Sequence, residues 1–230
     1  MDLYQNLKNK VLYNYHSIAE NVIPTLKTSK FKETGMLTPE EFVMAGDKLV
    51  TKCPSWLWCS SDNMKGYLPD DKQFLITRNV PTVAVPDDIK LDNDWVVSSS
   101  YVETDVHNLD DSTYNDDDNI LKTNRYDITI VYDNYYRVPR MYIFGYDCNG
   151  GVLSYDDICK NIADDQINKV ATYENHPHLD GYWISIHPCN HGAILKNMSL
   201  SFDLSVDDVM FVFLKFMQGI LSGINYDFTF

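Results

Sequence analysis

Basic residues are scarce in this chain: 19 lysines and arginines stand against 33 aspartates and glutamates, a formal net charge of −14. A surface that negative repels phosphate backbones, so no nucleic-acid partner is expected. Long hydrophobic runs are missing too. The most apolar stretch, 209–214, is closed by Lys215 and Gln218, far short of the roughly 20 apolar residues that span a bilayer. No charged-then-apolar leader opens the sequence, and the five cysteines are an odd number. These absences predict a soluble protein of a reducing, cytoplasmic compartment with free thiols. There is no internal repeat. What is present is ordinary globular composition, 44% hydrophobic and 23% charged over 230 residues, enough for one sizeable core.

The negative charge is concentrated. Between Pro86 and Asn124 there are eleven acids and two bases, together with the serine run 98–100 and the aspartate-rich run 115–119. Such a segment cannot bury enough apolar area to offset the entropy of ordering it, which predicts an acidic flexible insertion over 86–124. It is either a solvated loop or a docking segment that folds onto a partner through Tyr101, Val102, Leu109, Ile120 and Leu121.

Leu3, Leu7, Val11, Tyr15, Ile18 and Val22 recur at spacings of three and four, which predicts an N-terminal amphipathic helix within 1–24, ended by Pro24. It either docks on its own domain or lies in a membrane interface, where Leu3, Leu7, Val11 and Ile18 would meet lipid. Thr38-Pro39-Glu40-Glu41 is a capping box with proline at the first helical position, and Pro54 closes the helix that follows. Strands are expected over 56–60 and 73–78, and a hairpin joins 127–132 to 140–146 around Asn134-Tyr135-Tyr136. A short helix over 155–162 leads to strands over 169–174 and 182–186. Ser205-Val206-Asp207-Asp208 is expected to cap a last, nearly all-apolar helix to Leu221, with Gly223 as its C-cap. Central strands with helices at both ends predict an α+β domain, a mainly antiparallel sheet flanked by helices and formed by 25–85 and 125–230.

Four of the six histidines and one cysteine fall between His176 and His191. One reading is a zinc site, although structural zinc pairs its ligands across two to five residues and here one residue separates each pair. The other reading is a nucleophile. Cys189 follows a predicted strand and precedes residues that can start a helix, so its sulfur would face the positive end of a helix dipole beside His187 and His191, whose imidazolium forms would favour the thiolate. Cys148 and Cys159 read as packing, and Cys53 and Cys59 as structural. A thiolate with histidines suits a hydrolase, a redox sensor or an acyl carrier holding its substrate as a thioester.

The strings KFKETGMLTPEEFVMAGDKLV (30–50), CPSWLW (53–58), YLPDDKQFLITRNVP (67–81), RYDITIVYDNYYRVPRMYIFGYD (125–147), ENHPHL (174–179), SIHPCNH (185–191) and FLKFMQGI (213–220) resemble, in order, the autophagy-related protein 3 family. Outside the acidic insertion the likeness covers nearly the whole chain. It implies a ubiquitin-conjugating-enzyme-like fold. It also implies a transferase without a cofactor, whose cysteine, here Cys189, takes a ubiquitin-like autophagy modifier (of the autophagy-related protein 8 type) as a thioester. The donor would be an activating enzyme of the autophagy-related protein 7 type, and the acceptor the amine of phosphatidylethanolamine. The resemblance further implies that the N-terminal helix inserts into autophagic membranes and that the acidic insertion binds the activating enzyme.

Some features depart from the family. Ubiquitin-conjugating enzymes carry a His-Pro-Asn motif whose asparagine stabilises the oxyanion; the corresponding-looking tripeptide is His176-Pro177-His178, which leaves that donor unassigned. The strand opening Thr-Val-Thr-Ile-Glu in some members reads Val170-Ala171-Thr172-Tyr173-Glu174. Residues 192–205 hold no aromatic-x-x-aliphatic motif for the modifier. Trp183–Ile186 and Tyr155–Ile158 fit that pattern, but each sits in a predicted strand or helix as core. Two alternatives differ in class: a catalytically silent adaptor of the conjugation machinery, which a thioester assay separates, and a zinc-binding regulatory module, which metal analysis decides.

Overall fold

The capping box forms as its residue types require. The Thr38 hydroxyl accepts the Glu41 N–H at 3.1 Å, and the Glu41 carboxylate accepts the Thr38 N–H at 2.8 Å. This reciprocal pair satisfies two donors that a helix start leaves open, a contribution of about 1 kcal/mol. It launches α2 (Pro39–Lys52), which follows a single-turn α1 (Phe31–Thr34). The computed structural model describes residues 22–82, 123–162 and 170–227. Most of the expected N-terminal helix, with Leu3, Leu7, Val11 and Ile18, and the acidic insertion, with Tyr101, Val102, Leu109, Ile120 and Leu121, lie outside the described residues.

Six strands follow: β1 (Leu57–Cys59), β2 (Phe74–Pro81), β3 (Arg125–Asp133), β4 (Val138–Tyr146), β5 (Ala171–Asn175) and β6 (Tyr182–Ile186). All pairings are antiparallel, in the spatial order β1-β2-β3-β4-β6-β5. Helix α3 (Tyr155–Ile162) precedes β5, and α4 (His191–Phe202) and α5 (Val209–Ile220) follow β6. The fold is therefore α+β, with the antiparallel sheet and flanking helices expected. The hairpin register is unbroken from Arg125↔Tyr146 to Asp133↔Val138.

Ile128, Ile130 and Tyr132 of β3 enter the main core, where Phe42 and Leu49 of α2, Leu195 of α4 and Phe211 and Phe213 of α5 are buried. Burying each such side chain stabilises the fold by about 1.5–3 kcal/mol. The intervening β3 residue Val131 joins a second cluster on the other face with Phe74, Ile76, Tyr142 and Trp183. That face is capped by loops instead of helices, through Ser61 Oγ to His178 O (3.2 Å) and Asn63 Nδ2 to Pro177 O (2.7 Å). A strand covered on both faces reads as a nearly continuous apolar run, as 128–132 does. At the mouth of the insertion, Asn124 O accepts both the N–H (3.1 Å) and the hydroxyl (3.2 Å) of Thr82.

Three local expectations are corrected. Ser205 does not cap the last helix with its side chain: its hydroxyl donates to Asp207 and Asp208, and a 3₁₀ turn (Val206–Asp208) intervenes before α5. The C-cap is Leu221, whose N–H reaches Met217 O, and not Gly223. Asp207 and Asp208 take the Lys48 ammonium of α2 at 2.8 and 2.5 Å, so the local acids serve a tertiary pairing. Cys148 is exposed in the turn after β4, not packed in a strand.

The start of α4 is held by a contact that only glycine permits. Gly35, at φ +74°, ends α1, and a Cβ there would fall 1.9 Å from the Gly192 carbonyl oxygen. A Cβ on Gly192 would in turn meet Thr34 O at 3.1 Å. Gly35→Ala combines a left-handed backbone penalty with a backbone clash. It should cost about 3 kcal/mol and lower the melting temperature by roughly 10 °C. A circular-dichroism melt within about 2 °C of the wild type would contradict this reading.

Candidate active site

Strand β6 ends at Ile186, and the His187 N–H is held by Val170 O at 2.8 Å. Pro188 then turns the chain into a 3₁₀ turn (Pro188–Asn190) that runs directly into α4. Cys189 sits in that turn and is exposed. Its N–H donates to His187 Nδ1 at 3.3 Å, so His187 caps the turn with a nitrogen that carries no proton. Proline fixes the approach, the histidine fixes the turn, and the cysteine stands just ahead of the α4 N-terminus.

His191 lies inside. It is 2% exposed, its Nδ1 donates to Pro139 O at 3.0 Å, and its ring packs edge-on against Phe213 and Phe216. Burial lowers its pKa to about 4, so at neutral pH it is an uncharged imidazole. This corrects the expectation of an imidazolium beside the thiol: His191 fastens α4 to the core. The hydrogen bond to Pro139 O and the charge of Asp133 favour the imidazolium, but they do not outweigh desolvation.

The zinc reading is overturned by position. His176 accepts the N–H groups of His178 (3.1 Å) and Leu179 (3.0 Å) on Nδ1, and its Nε2 meets Thr129 Oγ1 at 2.8 Å, so both ring nitrogens are engaged. It packs among Phe74, Tyr142 and Trp183 on the loop-covered face, with His178 stacked on Phe74. His191 belongs to the helix-covered core. Burial lowers the pKa of His176 to about 3 and of His178 to about 4. Among the described residues no three His, Cys, Asp or Glu side chains converge as metal ligands. The His176-Pro177-His178 tripeptide stands at the Asn175–Tyr182 end of the β5–β6 pair, and Cys189 beyond the other. Five residues of strand separate them, about 16 Å, so that tripeptide does not face the sulfur.

One neighbour was missed from sequence. Tyr136, in the β3–β4 turn, packs its ring edge-on to His187 with centroids 5.6 Å apart. Burial first, and then the charges of Tyr135, Asp133 and Cys189, raise its pKa, so its phenol stays protonated beside the thiol. The string Asn134-Tyr135-Tyr136 reads locally as turn chemistry. The aromatic pair at a turn, where small polar residues are usual, was the available signal. Of the other thiols, Cys53 and Cys159 are buried, burial raises the pKa of Cys159 and Cys59, and Cys148 is exposed but lies in the turn after β4, at the head of no helix. Trp183–Ile186 and Tyr155–Ile158 are core, with Trp183, Ile186 and Ile158 all buried.

An exposed thiol thus heads a helix at the end of an antiparallel sheet, on an α+β scaffold consistent with a ubiquitin-conjugating-enzyme-like domain. The family model described as "Autophagocytosis associated protein, active-site domain" matches residues 41–228. The chain is 34% identical to autophagy-related protein 3 of Arabidopsis thaliana, over 97% of this chain and 96% of that protein. It is 32% identical to the proteins of that name from Dictyostelium discoideum (94% and 95% covered) and Schizosaccharomyces pombe (91% and 94%). The chain belongs to the autophagy-related protein 3 family, and that membership supports a role in the autophagy conjugation machinery.

Proposed function

We propose that this protein carries a ubiquitin-like autophagy modifier as a thioester on Cys189 and transfers it to phosphatidylethanolamine. The observation that carries the reading is the exposure of Cys189 in a proline-fixed turn at the head of α4, within a chain of this family. In the first step the Cys189 sulfur attacks the carbonyl carbon of the modifier's terminal glycine. A new C–S bond forms, the bond to the activating enzyme's cysteine breaks, and that thiol leaves. In the second step the lipid amine attacks the same carbon, an amide forms, the Cys189 sulfur leaves and the ammonium proton goes to solvent. The α4 N-terminus offsets negative charge on the departing sulfur. A thiol on an exposed turn suits both exchanges, because two bulky partners must reach it in succession.

Incubation with an activating enzyme, the modifier and ATP should give a higher-mass band on non-reducing electrophoresis that dithiothreitol removes. A wild-type protein that never forms this band would overturn the reading.

The acceptor is a lipid, which gives the N-terminal segment its proposed role: Leu3, Leu7, Val11 and Ile18 would enter the headgroup boundary and bring Cys189 to it. Among the described residues no helix is long and apolar enough to cross a membrane. In this reading the protein is cytoplasmic and transiently membrane-bound, and the acidic insertion would hold the activating enzyme through Tyr101, Val102, Leu109, Ile120 and Leu121. Leu7→Asp should weaken binding to small liposomes containing phosphatidylethanolamine by about tenfold, since it would put a charge where an apolar side chain is proposed to enter the lipid. Unchanged liposome flotation and unchanged lipidation would count against the membrane role.

A further inference from the structure

The turn that carries Tyr136 is braced from behind. Arg140 of β4 reaches three other strands with one guanidinium: Nη1 donates to Asp133 Oδ2 of β3 at 3.3 Å, Nε to Ser185 Oγ of β6 at 2.7 Å, and Nη2 to Glu174 Oε1 of β5. The group also lies over the Tyr142 ring, 5.2 Å from its centroid. The Arg140, Asp133 and Glu174 side chains are only 11%, 7% and 12% exposed, so their pairing is shielded from screening. Thr172 Oγ1 adds a hydrogen bond to Glu174 Oε1 at 3.3 Å. On the turn side, Asp133 Oδ1 accepts the Tyr136 N–H at 2.9 Å and Asp133 O accepts the Arg137 N–H, which holds Arg137 at φ +60°. The contacts form one line: guanidinium to Asp133, Asp133 to the Tyr136 backbone, Tyr136 ring to His187, and His187 Nδ1 to the Cys189 N–H.

We propose that Arg140, acting through Asp133, is a positioning residue of the Cys189 site, setting the turn so that Tyr136 backs His187 and His187 holds the cysteine turn in its reactive form. The inference rests on Cys189 being the reacting group. A planar fork with fixed donor directions can hold three strands in register, and an ammonium on a flexible stem cannot. The side chain never meets the modifier or the lipid; its effect is transmitted by geometry, where displacements of the order of an ångström in a reacting group slow chemistry about 100-fold.

The test is a double-mutant cycle with Arg140→Lys, which keeps the charge and loses the fork, and Tyr136→Ala. The readout is the first-order rate of modifier discharge from Cys189 to phosphatidylethanolamine vesicles at saturating lipid, after charging to equal levels. Both single variants should discharge about tenfold slower or worse at an unchanged half-saturating lipid concentration, and the double variant should be no slower than Tyr136→Ala alone. Wild-type discharge in Arg140→Lys, or losses that multiply in the double variant, would overturn the proposal. A merely structural role would give multiplying losses and a lowered melting temperature. If Arg140→Lys folds poorly, Asp133→Asn severs the same link at the same shape. A wild-type protein that cannot be charged would defeat the thioester reading itself. The same cycle is then read from iodoacetamide labelling of Cys189, followed by peptide mass spectrometry. An equal rise in rate in all three variants, as the turn withdraws from the thiol, supports the brace, and independent effects reject it.

Discussion

Cys189→Ser should trap what the wild type passes on. Incubated with activating enzyme, modifier and ATP, the serine protein should accumulate an adduct that survives dithiothreitol and yields no lipid conjugate, and Cys189→Ala should form no adduct. The reason is the leaving group. A thiolate departs readily when an amine attacks, whereas an alkoxide does not, so an oxyester is a much poorer acyl donor. Lipid transfer should fall by roughly 10³-fold or more, on the scale seen when covalent nucleophiles are removed. Because Cys189 is exposed and its turn is held by Pro188 and the His187 ring, the substitution should leave the melting temperature unchanged. Lipid transfer by Cys189→Ala at the wild-type rate would assign the chemistry to another residue.

The second large effect is loss of stability in mild acid. Three buried histidines have lowered pKa values, about 3 for His176 and about 4 for His178 and His191, each chiefly because burial disfavours the imidazolium. In the unfolded chain a histidine titrates near 6.5. Above that pH both states are neutral and the rings cost nothing. As pH falls below about 6.5 the unfolded chain takes up protons that the folded chain refuses, so stability declines until the folded pKa values are reached. Between pH 7 and pH 5 each ring should cost about 2 kcal/mol, or about 6 kcal/mol for three, against a typical total of roughly 5–15 kcal/mol. Urea titrations followed by circular dichroism at pH 7, 6 and 5 should show the midpoint falling steeply. His191→Gln, which can still donate to Pro139 O, should flatten that slope by about one proton in three. A midpoint independent of pH over this range would show that the rings are protonated in the fold.

Much of the fold was legible because its signals are local. The Thr38 to Glu41 box, the period-two run of Ile128, Ile130 and Tyr132, and the extents of α3 and β6 depend on neighbours within one element. Expectations failed where a local signal was claimed by a distant partner. Ser205, Asp207 and Asp208 resemble a cap, yet the two carboxylates pair with Lys48 of α2, and the hydroxyl turns to them instead of the backbone. The site shows the same division. The turn that exposes Cys189 was readable from the proline before it and the helix-forming residues after it. The charge state of His191 was not, since burial is set by Phe213 and Phe216 of another helix. Nor was Tyr136, which is more than fifty residues away in sequence and reaches His187 only because the hairpin turn closes over the end of β6.

The residues by themselves determined that Cys189 would sit in a proline-fixed turn heading a helix, and that strands in the middle and helices at the ends would make an α+β domain. Those properties follow from backbone geometry and polarity patterns that act over a few residues. Only the tertiary structure decided which histidines stay neutral, that the His176 and Cys189 motifs stand at opposite ends of a strand pair, and that Gly35 must lack a side chain to let α4 begin where it does. These depend on desolvation and on contact between segments far apart in the chain. Neither quantity exists until the sheet has brought them together.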